Sequence, residues 1–128
     1  MYSAYVKGFN SDIEEEVILE VNGVEIIGFM PFGIHFEPKR GIQYPISMSL
    51  VVLDDLDIQE VKDFEFGFYR IDESYSYKIK GILNCEKKTI NAGFELSLED
   101  EMLEDLWQYD NKNIQIKVDR INIEFAEE

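Results

Sequence analysis

The chain of 128 residues carries 12 basic and 27 acidic side chains, which give a formal net charge of −15 at pH 7. This length predicts one domain over residues 1–128 with its own core, and the single cysteine, Cys85, excludes an intrachain disulfide. The charge disfavours nucleic acid and anionic membranes as partners. Without an apolar leader or spanning segment, the expected location is the cytoplasm.

The first thirty residues predict an edge strand followed by a hairpin. Residues 1–9 are aromatic and β-branched but weakly patterned, and Ser11–Glu14 fits either one capped helical turn or a loop. Between residues 17 and 30, Asn22-Gly23 separates two apolar runs and supplies the positive φ angles of a type I′ turn. That turn implies the pairs Val21–Val24, Leu19–Ile26 and Val17–Gly28.

A strongly apolar segment follows this hairpin, although proline and glycine interrupt it. Residues 29–36 contain three phenylalanines and the only histidine of the chain. Residues 38–41 resemble a turn, which would let residues 34–37 form a hairpin with residues 42–45. Either the rings cap the open end of a barrel or sandwich, or they form a binding lip. The candidate contact residues of this lip are Phe32, His35 and Phe36.

A long strand is predicted from residue 42 to residue 53, where apolar and polar side chains alternate. Pro45 lacks an amide hydrogen, which places that end of the strand at a sheet edge or beside a bulge. Residues 54–63 then carry five acids and one base. Because the glycine and the later glutamate of an EF-hand loop are missing, we interpret this stretch as a solvated connection rather than a calcium site.

The clearest pattern lies between residues 64 and 98, where three segments alternate apolar and polar side chains as antiparallel strands do. The two intervening turns set a register that gathers the large apolar residues on one face, and a slip of one residue would expose them. The predicted pairs are Phe64–Leu83, Phe66–Gly81, Phe68–Ile79, Leu83–Ile90, Gly81–Ala92, Ile79–Phe94 and Tyr77–Leu96. Phe66, Gly81 and Ala92 should therefore lie side by side on the buried face.

The last thirty residues predict a helix and one more strand. Apolar residues recur at helical spacing from about residue 98 to residue 109, and Ser97 stands before them as a cap. Trp107 is expected at the seam between helix and sheet. In residues 114–125 the apolar positions change parity near Asp119, which predicts a β-bulge or a strand that crosses between layers.

Together these elements predict a mainly β fold. An antiparallel meander of seven to eight strands forms a small barrel or a strongly bent sheet, with one helix before the last strand. The inventory of reactive residues disfavours catalysis, because one histidine and one cysteine supply neither an activated nucleophile nor a zinc site. The glycine-rich phosphate loops of nucleotide-binding proteins are missing too. We therefore predict a non-enzymatic protein without cofactor or metal.

Two binding hypotheses follow. In the first, acidic segments attract a basic protein partner, as an inhibitor or immunity protein would attract a cationic toxin, and the aromatic lip holds it. The proposed steering residues on the predicted helix are Glu101, Glu104 and Asp105. In the second, a small barrel encloses an apolar ligand, although rings in such barrels more often fill the core. The rings that would line this interior are Phe64, Phe66, Phe68, Tyr75, Tyr77 and Phe94.

Overall fold

The computed structural model describes residues 2–62, 65–104 and 106–126. In this part of the chain the fold is mainly β, as the sequence predicts, but it contains eleven strands rather than seven or eight. The strands are β1 (Tyr2–Asn10), β2 (Ile13–Val21), β3 (Val24–Phe29), β4 (Gln43–Val51), β5 (Asp57–Glu60), β6 (Gly67–Arg70), β7 (Tyr77–Asn84), β8 (Thr89–Asn91), β9 (Glu95–Ser97), β10 (Asn113–Val118) and β11 (Arg120–Phe125). One helix, α1 (Asp100–Leu103), precedes β10.

Five strands close into a barrel in the order β1-β2-β3-β11-β4. Strand β1 pairs with β2 on one side and with β4 on the other, so the prediction of an edge strand is wrong: closure leaves β1 no free edge. Strands β3 and β11 run parallel where Phe29 meets Asn122, which departs from a simple meander. The inward side chains are at most 9% exposed: Ala4, Val6, Val17, Leu19, Val21, Ile26, Ile46, Met48, Leu50, Ile121 and Ile123.

The hairpin between β2 and β3 confirms its predicted register. Asn22 and Gly23 take φ angles of 49° and 80°, and Val21 pairs with Val24, as a type I′ turn requires. Residues 11–14 form a loop and the start of β2 rather than a helical turn. The Asn10 side-chain oxygen accepts a hydrogen bond from the Asp12 amide, which closes that loop locally.

The remaining strands form a second sheet in the order β5-β10-β7-β8-β9, with β6 also paired to β7. The predicted pairs Phe68–Ile79 and Leu83–Ile90 are confirmed. β6 and β8 pair with successive halves of β7, while β10 pairs with β7 from Tyr77 to Ile82. Gly81 consequently pairs with Ile114 of β10.

The predicted trio of Phe66, Gly81 and Ala92 is wrong in Phe66, whereas Ala92 is buried beside Gly81 as predicted, with its amide nitrogen 3.0 Å from a Cβ built at Gly81. Strand β6 begins only at Gly67, and the ring of Phe66 is 40% exposed instead of covering Gly81. Strand β8 ends at Asn91 because the chain turns back into β9 at Gly93, whose φ is 113°. The backbone of Asn91 takes the place expected for the ring, so closely that a side chain at Gly81 would overlap it.

The early turn at Gly93 also changes the partners of the third predicted strand. Phe94 does not pair with Ile79; its ring stacks on Phe68 at a centroid distance of 5.3 Å. Leu96 pairs with Ile90 of β8 instead of Tyr77. The pair Phe64–Leu83 cannot be compared, because Phe64 lies outside the described residues.

The helical region is shorter than predicted. Among the described residues of this region, Asp100–Leu103 are α-helical, and a 3₁₀ turn follows at Trp107–Tyr109. Glu99, not Ser97, precedes the helix, and no side chain caps it. Asp100 and Glu104 are four residues apart, and like charges at that spacing destabilise a helix. The side chain of Trp107 is 63% exposed, so its predicted place in the helix–sheet seam is wrong.

The parity change near Asp119 is confirmed as a crossing between layers. β10 belongs to the second sheet and β11 to the barrel. At the junction, the Asp119 amide donates to the Val51 carbonyl at 2.8 Å, and the Asp119 carboxylate accepts from the Leu53 amide at 2.7 Å. These bonds fix the junction to the end of β4, and the buried side chains of both sheets form one hydrophobic cluster.

Candidate functional site

The segment between β3 and β4 is an extended loop anchored near both ends. Its first residue, Met30, is fully buried, and the Met30 amide donates to the Glu15 carbonyl at 2.6 Å. Near the other end, the Lys39 amide donates to the Tyr44 hydroxyl at 2.8 Å. The predicted hairpin between residues 34–37 and 42–45 is wrong, because residues 30–42 contain no strand and β4 begins at Gln43.

Three aromatic rings meet where β4 begins and β11 ends. The Phe36 centroid lies 5.2 Å from that of Tyr44 and 5.5 Å from that of Phe125. Tyr44 and Phe125 have the same parity as the inward residues Ile46 and Ile123, so they stand at the open end of the barrel. Phe36 of the loop covers them. We call Phe36, Tyr44 and Phe125 the aromatic cluster; it supports the interpretation that rings cap the barrel end.

A cleft of about 1030 Å³ opens to solvent between the loop and the ends of β4 and β11. Its volume is at the upper end of the roughly 300–1,000 Å³ typical of small-molecule sites. The lining is mostly apolar and aromatic, with a few polar side chains, and Glu124 is the one carboxylate among the described lining residues. The lining residues are Phe32, Gly33, Ile34, His35, Phe36, Tyr44, Pro45, Ser47, Glu124, Phe125 and Ala126.

Phe32 is the anomalous side chain of this cleft. It is 72% exposed, whereas Phe36 in the same loop is 40% exposed and packs in the aromatic cluster. Gly33, next to Phe32, takes a φ of 67°, and its amide donates to the Met30 carbonyl at 3.1 Å. The chain therefore turns sharply at this point and presents the ring of Phe32 to solvent instead of to the core.

The structure brings together three of the six predicted site residues. Phe32, His35 and Phe36 all line the cleft. Glu101 and Glu104 are exposed on and just after α1, but neither is among the lining residues. Asp105 lies outside the described residues. The predicted site is thus two surfaces: the cleft, and an acidic helix surface formed by Glu99, Asp100, Glu101 and Glu104.

The residues that β4 and β11 contribute to the cleft were not predicted from the sequence. Tyr44 is far in sequence from Glu124 and Phe125, and it meets them only because Phe125 pairs with Ile46 across β4 and β11. The inward parity of Tyr44 and Phe125 was readable from the alternation of each strand. The pairing of these two strands was not, since neither is joined to the other by a short turn.

The described members of the other predicted ring set, which exclude Phe64, are not among the lining residues of the cleft. The hydroxyl of Tyr77 accepts a hydrogen bond from the Ile27 amide at 2.8 Å, and Tyr75 donates to the Glu16 carboxylate at 3.1 Å. Burial raises the pKa of Tyr77. For Tyr75, burial and the neighbouring Glu16 both raise the pKa. These tyrosines join the second sheet to the outside of the barrel, at β2 and β3.

The described residues offer neither a metal site nor a membrane-spanning helix. They contain no group of three or more histidine, cysteine or acidic side chains arranged to hold a metal ion, and the aspartates at 54, 55 and 57 are no exception. None of their helices has the length and apolar character needed to cross a membrane.

These observations define a small β-barrel protein with a second sheet attached and an open aromatic cleft at one barrel end. The chain matches, over residues 1–126, the family described as uncharacterised conserved protein UCP019853, and it belongs to that family. No curated protein and no solved structure matched the chain.

Proposed function

We propose that this is a non-enzymatic binding protein of the cytoplasm that holds a basic protein partner in the cleft. The exposed ring of Phe32 beside an aromatic floor is the observation that carries the proposal. Exposed aromatic side chains around a concave surface are the usual anchors of protein interfaces, and they are costly to leave in water. An inhibitor or immunity protein that neutralises a cationic toxin would work in this way.

Charge supports a basic rather than an acidic partner. The net charge is −15, and the lining residues of the cleft include Glu124 but neither lysine nor arginine among the described residues. Complementary charge mainly accelerates encounter, whereas buried anchors mainly slow dissociation. We assign the first role to the acidic helix surface and the second to Phe32 and Phe36.

Packing favours the cleft over the alternative of an apolar ligand inside the barrel. The inward side chains of the five barrel strands are buried against one another, as expected for a small barrel that its own residues fill. The cleft lies outside this packed interior and is open to solvent. A macromolecular segment therefore has access to it without any rearrangement of the barrel.

The proposal is tested by retrieving partners from the native cell and measuring association kinetics at two ionic strengths. Phe32→Ala should raise the dissociation rate about tenfold, which corresponds to about 1.4 kcal/mol. Glu104→Lys should lower the association rate, most strongly at low salt. Leu53→Ala is the matched control, because Leu53 is 70% exposed but follows the opposite end of β4.

A partner whose dissociation rate is the same for Phe32→Ala and wild type would contradict the assignment of the anchor. Retention of no partner at low salt would contradict the proposed function itself. In that case the acidic surface would serve solubility alone.

A further inference from the structure

The cleft combines a carboxylate with aromatic rings. Glu124 is exposed on β11 next to Phe125, and its strand partner Ser47 also lines the cleft. The rings of Phe36 and Phe125 are nearly perpendicular, at 83°. The lining of the cleft therefore offers an occupant both aromatic rings and a negative charge.

This combination suits a cation with a flat shape. Ring faces attract cations, and a guanidinium stacks on a ring while donating paired hydrogen bonds to a carboxylate. The same molecule contains such a contact elsewhere: the guanidinium of Arg120 lies 4.5 Å from the centroid of Phe29. A lysine would place a point charge at the carboxylate but would stack less well.

The two cationic side chains of the loop, Lys39 and Arg40, do not line the cleft, so they do not compete with a bound cation. Arg40 lines a separate, smaller pocket together with Lys7 and Glu20, and Lys39 does not line the cleft. Lys7 pairs with Glu20 at 3.2 Å. The cleft carboxylate and the loop cations therefore belong to different surfaces.

We propose that the occupant of the cleft is an arginine side chain of the partner, flanked by apolar residues, with its guanidinium held by Glu124 and by the rings that line the cleft. This inference rests on the proposed function and names the chemistry that the partner must present. Phe32 and Ile34 border the cleft on the loop side and contact the flanking apolar residues. Glu124 is the specificity-determining residue, because its charge distinguishes arginine from an apolar anchor of similar length.

The test is selection of peptides from a random displayed library on the wild-type protein, on Phe32→Ala and on Glu124→Gln. Peptides enriched on wild type should share an arginine beside an aromatic or aliphatic residue and should be lost on Phe32→Ala. For one such synthetic peptide, Glu124→Gln should weaken binding about two- to fivefold, since the carboxylate is exposed. Replacing the peptide arginine by citrulline, its neutral isostere, should weaken binding to wild type by at least as much.

Glu86→Gln is the matched control, because Glu86 is also exposed but lies in the turn between β7 and β8; it should bind like wild type. Peptides that depend on Phe32 but lack arginine, or that ignore Glu124→Gln, would overturn the arginine inference and leave the proposed function standing. Failure to enrich any peptide that depends on Phe32 would overturn both.

Discussion

Replacing Gly81 by alanine should destabilise the protein strongly, because backbone atoms occupy the space that a side chain would need. A Cβ built at Gly81 overlaps the carbonyl oxygen of Asn91 and lies 2.7 Å from its carbonyl carbon. Strand β8, which carries Asn91, is paired on both sides, with β7 and β9, so it cannot move away cheaply. Overpacking of a well-packed site usually costs about 1–3 kcal/mol.

Because the clash is with backbone, we expect a loss of about 3 kcal/mol for Gly81→Ala. Per-residue unfolding entropies imply a shift in Tm of about 4 °C for each kcal/mol in a chain of this length, hence about 12 °C here. Thermal unfolding followed by circular dichroism measures this shift. Urea titration of the same samples gives the change in free energy without relying on temperature.

Gly8→Ala is the matched control. The nearest atom to a Cβ at Gly8 is the Ile18 Cδ1 at 3.8 Å, an ordinary contact distance. Its effect should stay within about 1 kcal/mol, because a compatible alanine also reduces the entropy of the unfolded chain. A Tm for Gly81→Ala that equals that of Gly8→Ala would refute the close approach of Asn91 to β7.

Three further predictions concern single side chains. Tyr77→Phe should cost about 1 kcal/mol in urea unfolding, because the partly buried Ile27 amide loses its acceptor. Burial raises the pKa of Tyr77 above 10.0. The neutral side chain therefore stabilises the fold fully below pH 10, and this contribution is lost as the pH rises through the folded pKa. Because Tyr77→Phe has no such group, its Tm should fall less than that of the wild type at alkaline pH. Cys85 is 2% exposed, and burial raises the pKa of its thiol. A thiol reagent should therefore label Cys85 only as fast as the protein opens. Rapid labelling of the native protein would contradict this burial. Trp107, at 63% exposure, should be quenched by acrylamide nearly as well as free tryptophan, and a shielded emission would place it in the core.

The sequence predicted the elements whose cause is local. Asn22-Gly23 determines its hairpin because two adjacent positive φ angles admit few other residues. The parity change at Asp119 predicted a β-bulge or a crossing between layers, because the inward positions of a regular strand do not switch faces. Both inferences needed only the residues concerned and their nearest neighbours.

Elements that depend on distant partners were predicted less well. Gly81 was assigned a phenylalanine neighbour because alternation gave a register for each hairpin, but alternation does not show where a strand stops. Gly93 ends β8, and Gly67 begins β6, so the three-stranded face is interrupted on both sides. The helix prediction is right in its apolar spacing at Leu103 and Leu106, which are buried, but wrong in its length, because periodicity does not show where a helix ends.

The same difference between local and long-range causes separates the predicted from the unpredicted residues of the candidate site. Phe32 and Phe36 were predicted because an apolar loop is unusual by itself. Glu124, Tyr44 and Phe125 were not predicted, because their meeting depends on the pairing of β4 with β11. The assignment of steering to Glu101 and Glu104 came from charge density alone, which does not show how far they lie from the cleft.

The central claim, that the cleft holds a basic protein partner, is tested most directly by photo-crosslinking in the native cell. A photoreactive benzoylphenylalanine replaces Phe32 in one variant and Leu53 in a second, since both positions are at least 70% exposed. The account predicts one discrete adduct from position 32, absent from position 53, whose crosslinked peptide lies next to an arginine. Equal adducts from both positions, or none from position 32, would contradict it.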